Sequence, residues 1–387
     1  MVRTKVKINP EILKWAIQWN ETSIELLAGS LKVPRGKVIA WVKGKEYPSF
    51  RKAQDIANKL RIPFGYLFLK EPPKIALPLP DFRVFPEERE QVISPDLLEV
   101  MYDVMRKQDW LKERRLEESF KPLEFIGKFD THTPPTKVAE DIRRYLPELK
   151  RRSFGSYIKE LVSAFEDLGI TIFRSGVVKN NTHRRISLKD FRGFVIVDEI
   201  APVIFINTND AKSAQIFTLL HEIAHLWIGQ SGIVNVYPIK VVEEKVEWYC
   251  NKVAASFLIP EEELDKHWNP DEDIQNALER LSLHFKVSRM VILIRLFNTN
   301  RINEKLFYSI REEILKSYNE QKKKRKPGGN SFANIMARNS TSFVKEVISA
   351  LNEGKIYYKE AAGLLNVSLY TIETIRKRVT DEFRVLP

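Results

Sequence analysis

Two histidines four positions apart with a glutamate after the first, His221-Glu222-Ile-Ala-His225, are the residues of this sequence whose types and spacing could do hydrolytic chemistry. On an α-helix, positions four apart stack on one face, so both imidazoles reach a single metal ion and Glu222 lies on the same side. This H-E-x-x-H arrangement is that of zinc peptidases. The flanking residues predict the helix: Asn207-Thr-Asn-Asp210 offers caps before Ala211; Ala214, Phe217, Ala224 and Trp227 recur near helical spacing; and Gly229 offers a stop. A catalytic zinc wants a third protein ligand and an open position, so the site needs another donor. Glu247 fits best. It lies within Glu243 to Phe257, where Val246, Cys250, Val253, Ala254 and Phe257 form an apolar helical stripe that Pro260 ends. Asn251, one turn beyond Glu247, is placed to hydrogen-bond the ligating carboxylate or a neighbouring helix. Glu243 and Glu244 stand as alternatives to Glu247, and Cys250 reads as a small core residue.

Phe217-Thr-Leu-Leu-His-Glu-Ile-Ala-His225 followed by Glu247-Trp-Tyr-Cys-Asn251-Lys-Val-Ala-Ala-Ser-Phe-Leu-Ile-Pro260 resembles the ImmA/IrrE metallopeptidases, whose pattern is FTLxHExxH and then ExxxNxxAAxxLxP. Asp190-Phe-Arg-Gly-Phe194 and Ala201-Pro-Val-Ile-Phe-Ile-Asn207 resemble that family's approach to the metal helix. The resemblance covers about residues 8–320 and implies zinc (Zn2+) held by His221, His225 and Glu247, with Glu222 as catalytic base. It also implies that the substrate is a transcriptional repressor.

The chain has 387 residues, 43% of them hydrophobic, enough for a sizeable core and two or three domains. No membrane span is visible, and the charged start Met-Val-Arg-Thr-Lys-Val-Lys lacks the apolar core of a signal peptide. One cysteine excludes an intramolecular disulfide and a thiolate-rich structural zinc site, and a cytoplasmic setting is expected. The net charge of +12 is uneven: residues 1–70 carry 14 Lys and Arg against 5 Asp and Glu, residues 311–387 carry 15 against 9, and the residues between carry 34 against 37. Basic ends on a near-neutral body point to nucleic acid for at least one end, while ordinary solvated surface explains the C-terminal end as well.

Residues 8–70 read as short helices with a helix-turn-helix junction, and this stretch resembles Xre-type repressor domains. Its second helix would run from Arg35 to Lys43 and offer Arg35, Lys37 and Lys43 to duplex DNA. Val42 stands where such domains commonly have Glu, and a docking module without an operator is the competing reading. Residues 63–83 are a proline-rich connector. Residues 94–120 and 136–168 are helical with solvated charged faces, and Ile170–Val178, Phe194–Asp198 and Val203–Asn207 are short strands of a small sheet packed on the metal helix. Zinc peptidases of this shape commonly hold substrate along an exposed edge strand. His183 falls in a polar loop, and His132, His267 and His284 have no partner at metal spacing. Ile274–Leu283, Ser288–Phe297 and Asn303–Lys316 are helical, Lys322-Lys-Lys-Arg-Lys326 with the following Pro-Gly-Gly is a flexible linker, and residues 341–380 look again like helix, turn, helix. That last unit is a second DNA or protein contact, or generic helical packing.

The expected architecture is α+β and mostly helical: an Xre-like helix-turn-helix domain (1–75), a connector and helical segment (76–150), a zincin-like metallopeptidase domain with a small sheet (151–318), a basic linker (319–332) and a small helical C-terminal unit (333–387). The leading functional expectation is a zinc endopeptidase that cleaves a DNA-binding regulatory protein, with duplex DNA met through the N-terminal domain and no membrane partner. The competing expectation is a transcriptional regulator or antitoxin-like protein whose metal site is sensory or vestigial. Glu222 argues against the latter, since a structural zinc needs no base beside its histidines.

Overall fold

The computed structural model describes residues 4–75, 77–79, 93–234, 245–320 and 331–384. The chain divides into two compact units, residues 1–78 with 89–99, and residues 79–88 with 100–387. Asp81-Phe-Arg83, the alternative donors Glu243 and Glu244, and the basic run Lys322–Lys326 lie outside the described residues.

In the first unit, helices α1 (Pro10–Trp19), α2 (Ile24–Leu31), α3 (Arg35–Val42) and α4 (Phe50–Lys59) are followed by a 3-10 turn at Phe64–Phe68. Asn9, Ser23 and Ser49 start α1, α2 and α4 by accepting the N–H of Glu11, Leu26 and Lys52, donors the helix itself leaves unpaired. Leu13, Ala16, Leu27, Leu31, Val38, Trp41 and Ile56 close one small core. Val38 and Trp41 are buried in this core, while Arg35, Lys37 and Lys43 are exposed. Helix α5 (Pro95–Glu117) begins among the residues of this unit and ends in the next.

The second unit continues with α6 (Pro135–Arg144), α7 (Phe154–Asp167), β1 (Thr171–Ser175), β2 (Gly193–Ile196), β3 (Val203–Asn207), α8 (Lys212–Ile228), β4 (Gly232–Val234) and α9 (Lys245–Leu258). It is completed by α10 (Glu261–His267), α11 (Ile274–Phe285), α12 (Arg289–Asn298), α13 (Glu304–Glu320), α14 (Ser331–Asn339), α15 (Thr341–Asn352), α16 (Tyr358–Leu365) and α17 (Leu369–Arg384). The fold is therefore α+β and mostly helical, as the sequence predicts. The sheet has the order β1-β3-β2-β4, with β1 and β3 parallel and the other pairs antiparallel. β2 and β3 are buried along their whole length, which is why they read as apolar runs rather than as alternations. β4 escapes the sequence reading because Gly-Ile-Val is too short to carry a period.

Helix α8 contacts α7, α9, β2 and β3, and every residue from Gln215 to Ile228 is buried. Its start differs from expectation. The N-cap is Ala211, with no side-chain cap, because the polar residues ahead of it are already engaged: the Asp210 carboxylate pairs with Arg192 and accepts the Ala211 N–H, while Asn207 Nδ2 donates to Phe191 O at 3.1 Å. The predicted stop does act as one. Gly229 ends α8 in the left-handed region (φ 70°), its N–H donating to Leu226 O, and the backbone N–H groups of Gly127 and Phe129 donate to Leu226 O and Trp227 O in the same turn. Trp227 anchors the same end, stacked on Phe125 at 4.4 Å with its indole N–H on Asp141 Oδ2 at 3.0 Å.

The last four helices belong to this unit too. α14 packs on β1 and α15 on α7. Buried Lys107 of α5 pairs with Asp103 at 2.8 Å and donates to Asn339 Oδ1 at 3.2 Å, while Asn366 donates to Asp103 at 2.8 Å. Arg114 pairs with Glu346 and Glu353, both at 3.1 Å. Among the described residues no helix is long and apolar enough to cross a membrane.

Candidate metal centre

Helix α8 carries His221 and His225 one turn apart, their ring centroids 4.9 Å from each other. α9 lies against α8, with buried Ala254 and Ala255 on one helix and Ala224 on the other, and delivers Glu247 to both rings. Glu247 Oε2 is 3.0 Å from His221 Nε2, Oε1 is 3.0 Å from His225 Nε2, and the two Nε2 atoms are 3.1 Å apart. None of the three side chains is more than 2% exposed.

The other ring nitrogens decide what these atoms can be. His225 Nδ1 lies 3.1 Å from Gln230 O, a pure acceptor, so Nδ1 carries the proton and Nε2 of the neutral ring presents a lone pair. His221 Nδ1 lies 3.0 Å from Asn251 Oδ1, with the same consequence. Two lone pairs and a carboxylate thus converge in a buried space with no hydrogen left to separate them, an arrangement that repels itself unless a cation lies at its centre. Nitrogen and oxygen donors at ~2.0–2.1 Å on a tetrahedral zinc stand roughly 3.3 Å apart, close to the separations seen. The donor set fits zinc.

Glu222 is fully buried and neither carboxylate oxygen has a hydrogen-bond partner. Burial, reinforced by the nearby Glu247 charge, pushes its carboxyl well above the ordinary range. Burial also acts to raise Glu247, but the two imidazoles against its oxygens outweigh it and hold this carboxyl at about 2. Two carboxylates a few positions from each other in space are therefore driven apart, one to stay ionised and one to take up a proton. Burial drives the His225 ring toward its neutral form. Cys250 sits in the apolar core, where burial pushes its thiol well up, so it remains a packing residue and not a thiolate donor.

Sequence reasoning missed Gly193 and Gln230. A Cβ built on Gly193 would stand 2.8 Å from Glu222 Oε1 and 2.7 Å from Thr218 Cγ2, so only glycine lets β2 run this close to the carboxylate. Gln230 acts through its backbone carbonyl, which leaves no trace in residue type. Elsewhere, Arg35 pairs with Glu25 at 2.7 Å on an exposed face, and Lys37 and Lys43 are exposed on and just after α3. His183 is exposed in the loop after β1, its N–H held by Asn181 Oδ1 at 3.0 Å. The expectation for His267 and His284 is corrected. Their rings are 4.0 Å apart, and His284 Nε2 is 3.1 Å from Glu263 Oε1, a meeting of side chains from α10 and α11 that sequence spacing does not show. Arg151 already holds that carboxylate at 3.2 Å, which sets a cation where a metal would have to sit.

The fold and the site define a mostly helical α+β domain with a buried His/His/Glu centre and a free carboxylate beside it. Residues 165–297, about a third of the chain, match the family model of the IrrE N-terminal-like domain (Peptidase_M78), which supports a metallopeptidase-like function for that segment. No curated protein matches the chain.

Proposed function

We propose that the chain is a zinc endopeptidase whose substrate is a DNA-binding regulatory protein of the cytoplasm. The observation that carries the reading is the convergence of His221, His225 and Glu247 with the unpartnered Glu222 carboxylate on the same helix face. Zinc held by the three donors would supply Lewis acidity, polarising a peptide carbonyl and bringing the pKa of a water toward neutrality. Glu222 takes the proton of the attacking water on a carboxylate oxygen and hands it to the leaving amine nitrogen. His221 and His225 keep their geometry through the cycle because Asn251 and the Gln230 carbonyl hold the outer ring nitrogens. Among the described strands β4 is an edge of the sheet, where a substrate strand could add by backbone pairing.

The regulator as substrate, and DNA as a partner of residues 8–70, rest on the basic N-terminal unit with Arg35, Lys37 and Lys43 exposed on and just after α3. Such a unit raises the local concentration of the peptidase near a repressor, a gain of about 10²-fold or more without new contacts at the site. The test incubates the protein and its Glu222→Gln form with regulators encoded beside its gene. Cleavage that needs Glu222 is expected, and Glu222→Gln should keep its metal. Undiminished cleavage by Glu222→Gln would overturn the role given to this residue. Deleting residues 1–75 should slow cleavage of the regulator but not of an unstructured peptide spanning the same bond; equal effects on both would sink the tethering idea.

A further inference from the structure

Among the described residues, three pairs of helices are joined in the same way across three residues. α2 and α3 are linked by Lys32-Val33-Pro34, α11 and α12 by Lys286-Val287-Ser288, and α16 and α17 by Asn366-Val367-Ser368. In each joint the first residue is left-handed, with φ of 52°, 57° and 52°. The valine N–H then donates to the carbonyl five residues back, at Ala28, Ser282 and Ala362, over 3.1, 3.2 and 3.0 Å. The buried positions repeat as well: Leu31, Phe285 and Leu365 close the first helix, and Val38, Ile292 and Ile372 hold the second against it. The left-handed residue and the five-back bond are an ordinary helix end, seen also at Arg61 and Asn300; the three-residue spacing and the repeated buried pair are what resemble a helix-turn-helix.

The three copies differ in what the second helix does with its first turn. On α12, Met290 and Val291 are both 3% exposed, so this copy is scaffold within the core. On α3 the matching first turn, Arg35 to Lys37, is exposed. On α17, Leu369 is 56% and Tyr370 85% exposed, with Thr374 and Lys377 exposed one and two turns further along. Lys377 occupies the place that Lys43 holds relative to α3. Residues 355–378 contain five Lys and Arg against two Glu; Glu373 is held by Arg376 at 3.0 Å and Tyr358 at 3.0 Å, and Lys377, 71% exposed, approaches the same carboxylate only at 3.8 Å.

We propose that α16 and α17 form a second DNA-contacting helix-turn-helix, with Leu369, Tyr370, Thr374 and Lys377 presented to the major groove of duplex DNA. Basic groups meet phosphates, and the threonine hydroxyl and the apolar body of Leu369 suit base edges and thymine methyls. The chain then carries one DNA-reading face at each end of its sequence. This inference does not depend on the metal or on peptide cleavage.

The test uses the full chain and a fluorescent 30-base-pair duplex of mixed sequence, with anisotropy followed over a range of salt. Lys377→Ala should lower the slope of log affinity against log salt by ~1, and Tyr370→Ala with Lys377→Ala should weaken binding by about tenfold. Arg35→Ala with Lys37→Ala, measured beside it, separates the two faces: loss in the α17 variant alone upholds the proposal and counts against the N-terminal reading. Unchanged affinity and slope in the α17 variant, with circular dichroism showing it folded, would overturn the proposal and leave α17 as a protein-docking or purely structural helix.

Discussion

Each imidazole of the centre commits one nitrogen to the protein so that the other points inward, and the strength of the site rests on that commitment. Asn251→Ala removes the acceptor that fixes the His221 ring, while all three donors remain. Zinc affinity should fall by about 10–100-fold, read by competition with a chromogenic chelator. His221→Ala, His225→Ala and Glu247→Ala should each abolish stoichiometric zinc in elemental analysis, and full occupancy in Glu247→Ala would move the third donor elsewhere. Gly193→Ala tests the close passage of β2: the added methyl meets Glu222 and Thr218 below 3 Å, in a strand with no slack. We expect a loss of ~1–3 kcal/mol in urea unfolding together with slower cleavage. An alanine variant of wild-type stability would mean that β2 can shift, and that the glycine is not needed.

At the scale of elements, the C-terminal end of α8 concentrates several demands in a few residues. Gly229 is left-handed, and a Cβ there would stand 3.1 Å from Gly127 Cα, so Gly229→Ala combines backbone strain with a backbone clash. A destabilisation of about 1–3 kcal/mol is expected in denaturant melts, larger than for Ala at an exposed helix end. This stop was legible in the sequence because glycine after a periodic run has one common use. The metal helix was legible for a similar reason: spacing along one helix survives in one dimension. Contacts between elements do not survive so well. His267 and His284 meet across two helices, and β2 meets Glu222 through an absent side chain. The start of α8 was misread because polar residues ahead of a helix look like caps even when Arg192 and neighbouring carbonyls have claimed them. Even the three-residue joints stand in the sequence as Lys-Val-Pro, Lys-Val-Ser and Asn-Val-Ser, yet which second helix is buried depends on the rest of the fold.

For the molecule as a whole, acid should loosen the last helices of the second unit. Hydrogen bonds from Arg114 hold the Glu353 carboxyl at about 2, below its ordinary 4.5; burial acts to raise Asp103, but the Lys107 charge outweighs it and keeps that carboxyl low. Depressed carboxyls stabilise the folded state fully above their unfolded pKa and lose that contribution as pH falls through the folded one. Glu166, raised by burial at its contact with Ser340 and Thr341, works the other way and favours folding slightly as it protonates. The net expectation is stability held down to about pH 4.5 and lost toward pH 2, seen as rising pepsin cleavage around residues 340–357. Glu353→Gln should show enhanced cleavage already at pH 4.5. Metal acts on the same scale: zinc at 100 times its Kd would add about 2.7 kcal/mol, visible as a fall in Tm on chelation.

The burial of the donors has a consequence in time. His221 and His225 are 0% exposed and Glu247 is 2% exposed, so the ion, a water and a substrate carbonyl alike reach these donors only through a local opening of the fold. Metal entry and exit must wait for the fold to open locally. A chelator added to the folded chain should therefore strip it at a rate that stops rising with chelator concentration, the rate of opening itself. Occupancy in any preparation then records which ion was present when the chain folded, more than which ion surrounds it afterwards.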